Sequence, residues 1–244
     1  MERMESRTTG TPAGPPSLDR VVARLRALRA EWPVTDGVAV FNRVYLSVTE
    51  EIARQIDAGS FAERGPATTL DVLFAERYLS VAEGMANGLR APACWWPLFR
   101  RRDHPDVLPL QFALAGINAH IGHDLALAVV DTCAALDCEP AELAGSFDQV
   151  GGVLRRLEER IREEVMPGPD LLELAEPFTH LVGSWSLERA RQAAWASALL
   201  LWRLRAVPAL AARFTDRLDA GVGAVGHRLV TPWRLSAQQL TGIR

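Results

Sequence analysis

A chain of 244 residues with 48% hydrophobic and 23% charged side chains can bury a sizeable core without disulfides, and it is neither disordered nor fibrous in composition. Its 27 basic and 30 acidic residues leave a formal charge of −3, which excludes a broad basic field for a nucleic-acid backbone. The odd set of 3 cysteines, Cys94, Cys133 and Cys138, fits no CxxC pair or zinc knuckle and reads as reduced, buried thiols of a cytoplasmic protein.

Helical periodicity runs through the sequence, and alternating strand patterns are absent. Residues 1–16, rich in Thr, Gly and Pro, have no apolar signal-peptide core and read as a disordered leader. Ser17 is placed to cap a helix to about Glu31, with Leu18, Val21, Val22, Leu25 and Leu28 along one face and Pro33 stopping it. A second helix is expected from about Asp36 to Ala58, with Phe41, Tyr45, Val48 and Ile52 at helical spacing and Gly59 beyond its end. A third opens at Thr68 or Thr69, carries Leu73, Phe74 and Tyr78, and ends near Gly88.

The stretch over 91–108 reads as a proline-broken connection with adjacent Trp95 and Trp96, a candidate lid. Pro109 then suits the first turn of a long central helix over 108–137. Pro140 begins another helical region, interrupted near Gly151–Gly152 and continuing to about Val165, with Arg155–Glu159 support on an exposed face. After MPGPD a short helix reaches Phe178. Ser184 or Ser186 caps a strong helix to about Arg205, Pro208–Ala220 forms one more, and the chain from Gly221 reads as irregular. The expectation is a single all-α domain over 17–235, a bundle of about seven or eight helices round the central one, with a tail at 236–244.

The central helix is apolar almost all round, as a buried helix is. His120, Asp124 and Asp131 nevertheless fall within about 40° of one another in α-helical projection, with His123 on the shoulder of that stripe. These groups interrupt the one segment long enough to span a membrane, and Gln192–Trp202 is too short, so no membrane association is expected.

The run AGINAHIGHDLALAV resembles the core motif of an uncharacterised bacterial all-helical family, in which Asn-Ala-His is followed four residues after the histidine by Asp-Leu. The segments DGVAVFNRVYLSVTEEI (36–52), VLFAERYL (72–79) and AWASALLLW (194–202) support the likeness over about 30–230. The resemblance implies a helical fold and carries no established activity. Its pattern matches at His120 and Asp124 and expects a variable polar residue, often Asn, at position 123, which favours His120 with Asp124 over the His123–Asp124 pair.

At i, i+4 on a helix, His120 and Asp124 can meet one bound group. They are the candidate catalytic residues, with Asp124 orienting the imidazole as a general base. They can equally join His180 in holding one divalent ion, zinc, iron or manganese, with Asp36, Glu76 and Asp131 as further candidates. Small residues on this face, Ala113, Gly116 and Ala134, leave room either for a ligand or for another helix. Trp95, Trp96, Trp185 and Trp195, with Arg43, Tyr45, Glu76 and Tyr78, can line a pocket for a partly apolar molecule, or can simply pack in the core. Arg43 and Glu76 are a candidate ion pair.

His104 and His227 fall in expected loops. The adjacent His123–Asp124 pair is too short a match to argue for an HD-type phosphohydrolase. Repeated Glu-x-x-His elements, an Asp-rich terpenoid-synthase motif, GxSxG, a P-loop and a dinucleotide fingerprint are all missing.

Two functions follow. One is an intracellular enzyme acting on a small, partly apolar molecule by acid–base or metal-assisted chemistry at His120 and Asp124. The other is a ligand-binding or scaffold protein in which the stripe is a buried structural network. A homodimer is compatible with the sequence, though no heptad pattern calls for one.

Overall fold

The computed structural model describes residues 17–165 and 186–232, and these contain helices and no strand. Helix α1 (Leu18–Glu31) starts where Ser17 accepts the Arg20 N–H at 3.4 Å. Helix α2 (Gly37–Asp57) is capped by Asp36, whose carboxylate accepts from Val38 N at 2.7 Å and Ala39 N at 3.1 Å. The other Asp36 oxygen pairs with Arg102 at 2.5 Å, which ties the start of α2 to the end of α4 (Trp96–Arg101).

Helix α3 (Arg64–Ala86) begins a turn earlier than Thr68, because Gly65 and Pro66 fall in its first turn, where a missing N–H costs nothing. The stretch expected as a connection contains the short helix α4, and Trp95 before it is completely buried.

Helix α5 (Pro109–Leu136) runs without a break for 28 residues and contains one π turn, His120–Asp124. It ends where Asp137 turns left-handed at φ 51°. Helix α6 (Pro140–Val165) passes straight through Gly151–Gly152, where an interruption was expected. Gly151 is there for space: a Cβ on it would stand 2.6 Å from the Arg191 guanidinium. Ser186 caps α7 (Leu187–Leu204) by accepting the Arg189 N–H at 3.3 Å. Helix α8 (Pro208–Leu229) extends well past Ala220, so the reading of an irregular chain from Gly221 is corrected. Glycines 223 and 226 are packing positions: a Cβ at Gly223 would sit 2.4 Å from the Ala93 carbonyl oxygen.

The outcome is one all-α domain wrapped round α5. Helices α2 and α8 lie on the N-terminal half of α5, α3 and α7 on its C-terminal half, and α1 covers α2 and α3. Pro109–Leu136 is long and apolar enough to cross a membrane by composition, yet 78% of its most apolar window is buried inside the protein. Two apolar clusters form the core, one around α1, α2, α3, α4 and the start of α5, the other around the end of α5, α6 and α7. Phe74, Ile117 and Leu187 touch both.

The small residues on α5 serve the close approach of a helix. A Cβ on Gly116 would lie 2.2 Å from the Phe41 ring, and Ala134 is on the surface. Gly116→Ala is therefore expected to destabilise the fold by about 1–3 kcal/mol through overpacking of α2 on α5, measured by urea denaturation.

Candidate functional site

The π turn makes the site. It widens α5 for one turn, with the Leu125 N–H reaching back to the His120 carbonyl, and it places three ionisable side chains at the centre of the fold. Asp124 is the hub. One of its oxygens accepts from Trp95 Nε1 at 2.9 Å and from His120 Nδ1 at 3.0 Å, and the other from His123 Nδ1 at 2.9 Å.

All four side chains are buried. Burial pushes the Asp124 carboxyl up, but the hydrogen bonds from His120 and His123 outweigh it and hold the group below the usual carboxylate range. Burial lowers the His120 imidazole, against the pull of Asp124, so the ring is neutral at pH 7. A neutral ring that donates from Nδ1 carries its lone pair on Nε2.

That Nε2 is buried and has no hydrogen-bond partner among the described residues. The His120 side chain belongs to the wall of a cavity of about 70 Å³ at the seam between the two core clusters, walled mainly by Phe41, Val48, Leu70, Phe74, Ile121 and Phe147. Tyr45, Asp71 and Arg191 are the other polar or charged residues of that wall. Each has a buried atom without a partner among the described residues: Tyr45 Oη, Asp71 Oδ2 and Arg191 Nε. Burial raises the Asp71 carboxyl to about 7, and it raises the Tyr45 phenol, with Asp71 adding to the shift. Burial lowers the Arg191 guanidinium, which donates to the Phe147 carbonyl and packs 4.2 Å over the Phe147 ring.

Two groups with opposed shifts thus share one apolar cavity, an imidazole kept free of its proton and a carboxyl raised to about 7. Such a pair can take a proton at one point of a bound molecule and give one at another.

His123 faces a different set of side chains. A ring nitrogen of His123, the Cys94 sulfur and an Asp219 carboxylate oxygen all lie within 4.8 Å of one another. Asp219, on α8, accepts from Ala93 N at 2.9 Å and Cys94 N at 2.8 Å. Burial, with Asp124 and Asp219 nearby, pushes the Cys94 thiol well above its usual range.

The sequence-derived candidates divide accordingly. His120 and Asp124 do meet, but they face each other and Asp124 is engaged by three N–H donors, so the pair is not arranged as two ligands turned to one ion. His180 and Trp185 lie outside the described residues. Asp36, Glu76 and Asp131 are engaged elsewhere, with Arg102, with Arg24 at 2.5 Å and with Arg77. The π turn rotates everything after it, so Asp131 leaves the stripe and sits on the surface.

Arg43 donates to the Val34 carbonyl at 3.2 Å, and Arg24 takes its expected place beside Glu76. Of the proposed pocket residues among those described, only Tyr45 lines the cavity. Tyr78 is fully buried and donates to Asn42 Oδ1 at 3.2 Å. Trp95 serves Asp124, Trp96 lies in a surface groove under Arg90, and Trp195 packs on Phe147 at 4.7 Å.

Asp71 and Arg191 were not singled out from sequence, although a signal exists for both. Asp71 shares a helix face with the apolar Phe74, Ala75 and Tyr78, and Arg191 shares one with Leu187, Ala194 and Ala198. A charge at core spacing marks such positions. Cys94 and Asp219, far apart in the chain, carry no such mark.

A model of a family of unknown function, DUF5995, matches residues 18–232. The chain belongs to that family. No curated protein and no solved structure matches it. The cavity and the π turn both fall inside the matched span.

Proposed function

We propose that the protein is an enzyme that moves a proton on a small, partly apolar molecule held in the cavity beneath the π turn. One observation carries this reading: His120 lines an apolar cavity with its Nδ1 fixed by Asp124 and its Nε2 buried without a partner among the described residues. A satisfied structural histidine would use both nitrogens.

In this reading His120 Nε2 removes a proton from carbon beside a carbonyl group. The electron pair moves onto the carbonyl oxygen, and Asp71, protonated below about pH 7, delivers a proton there. Asp124 keeps Nδ1 protonated and stabilises the imidazolium as it forms. His120 then gives its proton to another carbon while the enol O–H proton returns to Asp71 as the carbonyl re-forms, which completes an isomerisation and restores both residues.

Proton NMR in D₂O tests the proposal on a panel of small cyclic ketones and enones. The wild type is expected to accelerate α-hydrogen exchange on at least one of them. His120→Gln is expected to lose about 100-fold or more of that rate while remaining folded by circular dichroism. Wild-type protein that neither exchanges any member nor shifts its His120 ring resonances when they are added would overturn the reading.

A second reading has its own support. The His120 ring stacks on Phe74 at 3.6 Å and meets Tyr45 edge-on at 4.5 Å, so it also packs like a core residue. If the network is only structural, His120→Gln mainly destabilises, by about 1–3 kcal/mol, and no exchange depends on it.

A further inference from the structure

We infer that Cys94, His123 and Asp219 form a binding site for a divalent transition-metal ion of the zinc class. The three residues come from separate elements: the turn before α4, the π turn of α5, and α8. Their ligand atoms stand within 4.8 Å of one another, a spacing that one tetrahedral ion bridges with bonds of about 2.0–2.3 Å. Cys94 and His123 are buried and Asp219 is half-buried, so three protein ligands would leave a fourth position on the Asp219 side, toward solvent.

Each ligand is already oriented. His123 Nδ1 is held by Asp124 at 2.9 Å, which fixes the ring's orientation beside Cys94 and Asp219. Asp219 is fixed by two backbone N–H donors, from Ala93 and Cys94. Gly223 brings α8 against this turn, since a side chain there would strike the Ala93 carbonyl. A soft thiolate with an imidazole selects zinc, or cobalt as its probe, over magnesium or calcium.

This site is separate from the cavity and does not depend on the proton-transfer reading. Asp124 is common to both, supporting His120 on one oxygen and His123 on the other.

The test is titration of chelator-treated full-length protein with Co²⁺, followed by absorption spectroscopy, and then with Zn²⁺. The expected result is a saturable thiolate-to-cobalt charge-transfer band that Zn²⁺ abolishes. Cys94→Ser should lose the band, Asp219→Asn should bind about 100-fold more weakly, and Cys138→Ser should behave as wild type. If Cys94→Ser does not fold, the wild-type spectrum and the Asp219→Asn affinity decide. A folded wild type without the band, or an Asp219→Asn variant with unchanged affinity, would overturn the site and leave a plain thiol–carboxylate contact. Neither result alters α-hydrogen exchange at His120, so the two readings fail separately.

Discussion

Replacing Asp124 with Ala is expected to cost about 3–5 kcal/mol of stability, measured by urea denaturation at pH 7. The carboxylate is the shared acceptor of three buried N–H groups, from Trp95, His120 and His123, and no other group among the described residues accepts from any of them. Removing it strands donors on α5 and at the head of α4 in one step, each worth about 1–3 kcal/mol when left unpaired. The losses overlap because the three donors relax together, so the total falls below their sum. A cost under about 1 kcal/mol would mean that water enters and takes over the carboxylate's role, and the centre of the fold would then be far wetter than its packing implies.

Asp71→Asn is expected to do the opposite, stabilising the protein at neutral pH while removing the proposed acid. The folded carboxyl titrates at about 7, raised by burial, whereas in the unfolded chain it titrates near its ordinary value of 3.8. Between those values the folded state holds a proton that the unfolded state has released, so stability falls as pH rises. The slope is about 1.4 kcal/mol per pH unit, and the loss is about 4 kcal/mol by the time pH passes 7, after which it levels off.

Asn in the same place carries no charge to bury. The difference between variant and wild type should therefore be small at pH 4, grow through pH 5 and 6, and flatten above 7, in paired denaturation curves. A difference that stays constant with pH would show that Asp71 is ionised in the fold, and the acid role would go with it. A group that costs stability at working pH and keeps a buried oxygen without a partner among the described residues is the kind retained for function.

The architecture was legible because it rests on local signals. Ser17 and Asp36 announce their helices through side chains that accept the first free N–H groups, and the apolar spacing of α2 and α5 marks the buried faces. Where local signals misled, packing had overruled them. Gly151 and Gly223 look like breaks in sequence, yet they are places where a guanidinium or a backbone carbonyl needs the room of a missing Cβ.

The pairing of His120 with Asp124 also followed from their i, i+4 spacing alone. What surrounds them did not. The π turn has no sequence mark, and it brings both His120 and His123 to Asp124, where a continuous α-helix would favour one. Asp71 and Arg191 reach the cavity because α3 and α7 pack on α5, and Cys94 meets Asp219 because Gly223 lets α8 close on the turn before α4. The chain by itself determined an all-α domain built on a buried helix with a histidine–carboxylate pair, since helix periodicity, caps and i, i+4 spacing are local properties. Only the tertiary structure decided which charges share a cavity and which nitrogen is free, because burial and hydrogen-bond partners come from residues distant in sequence.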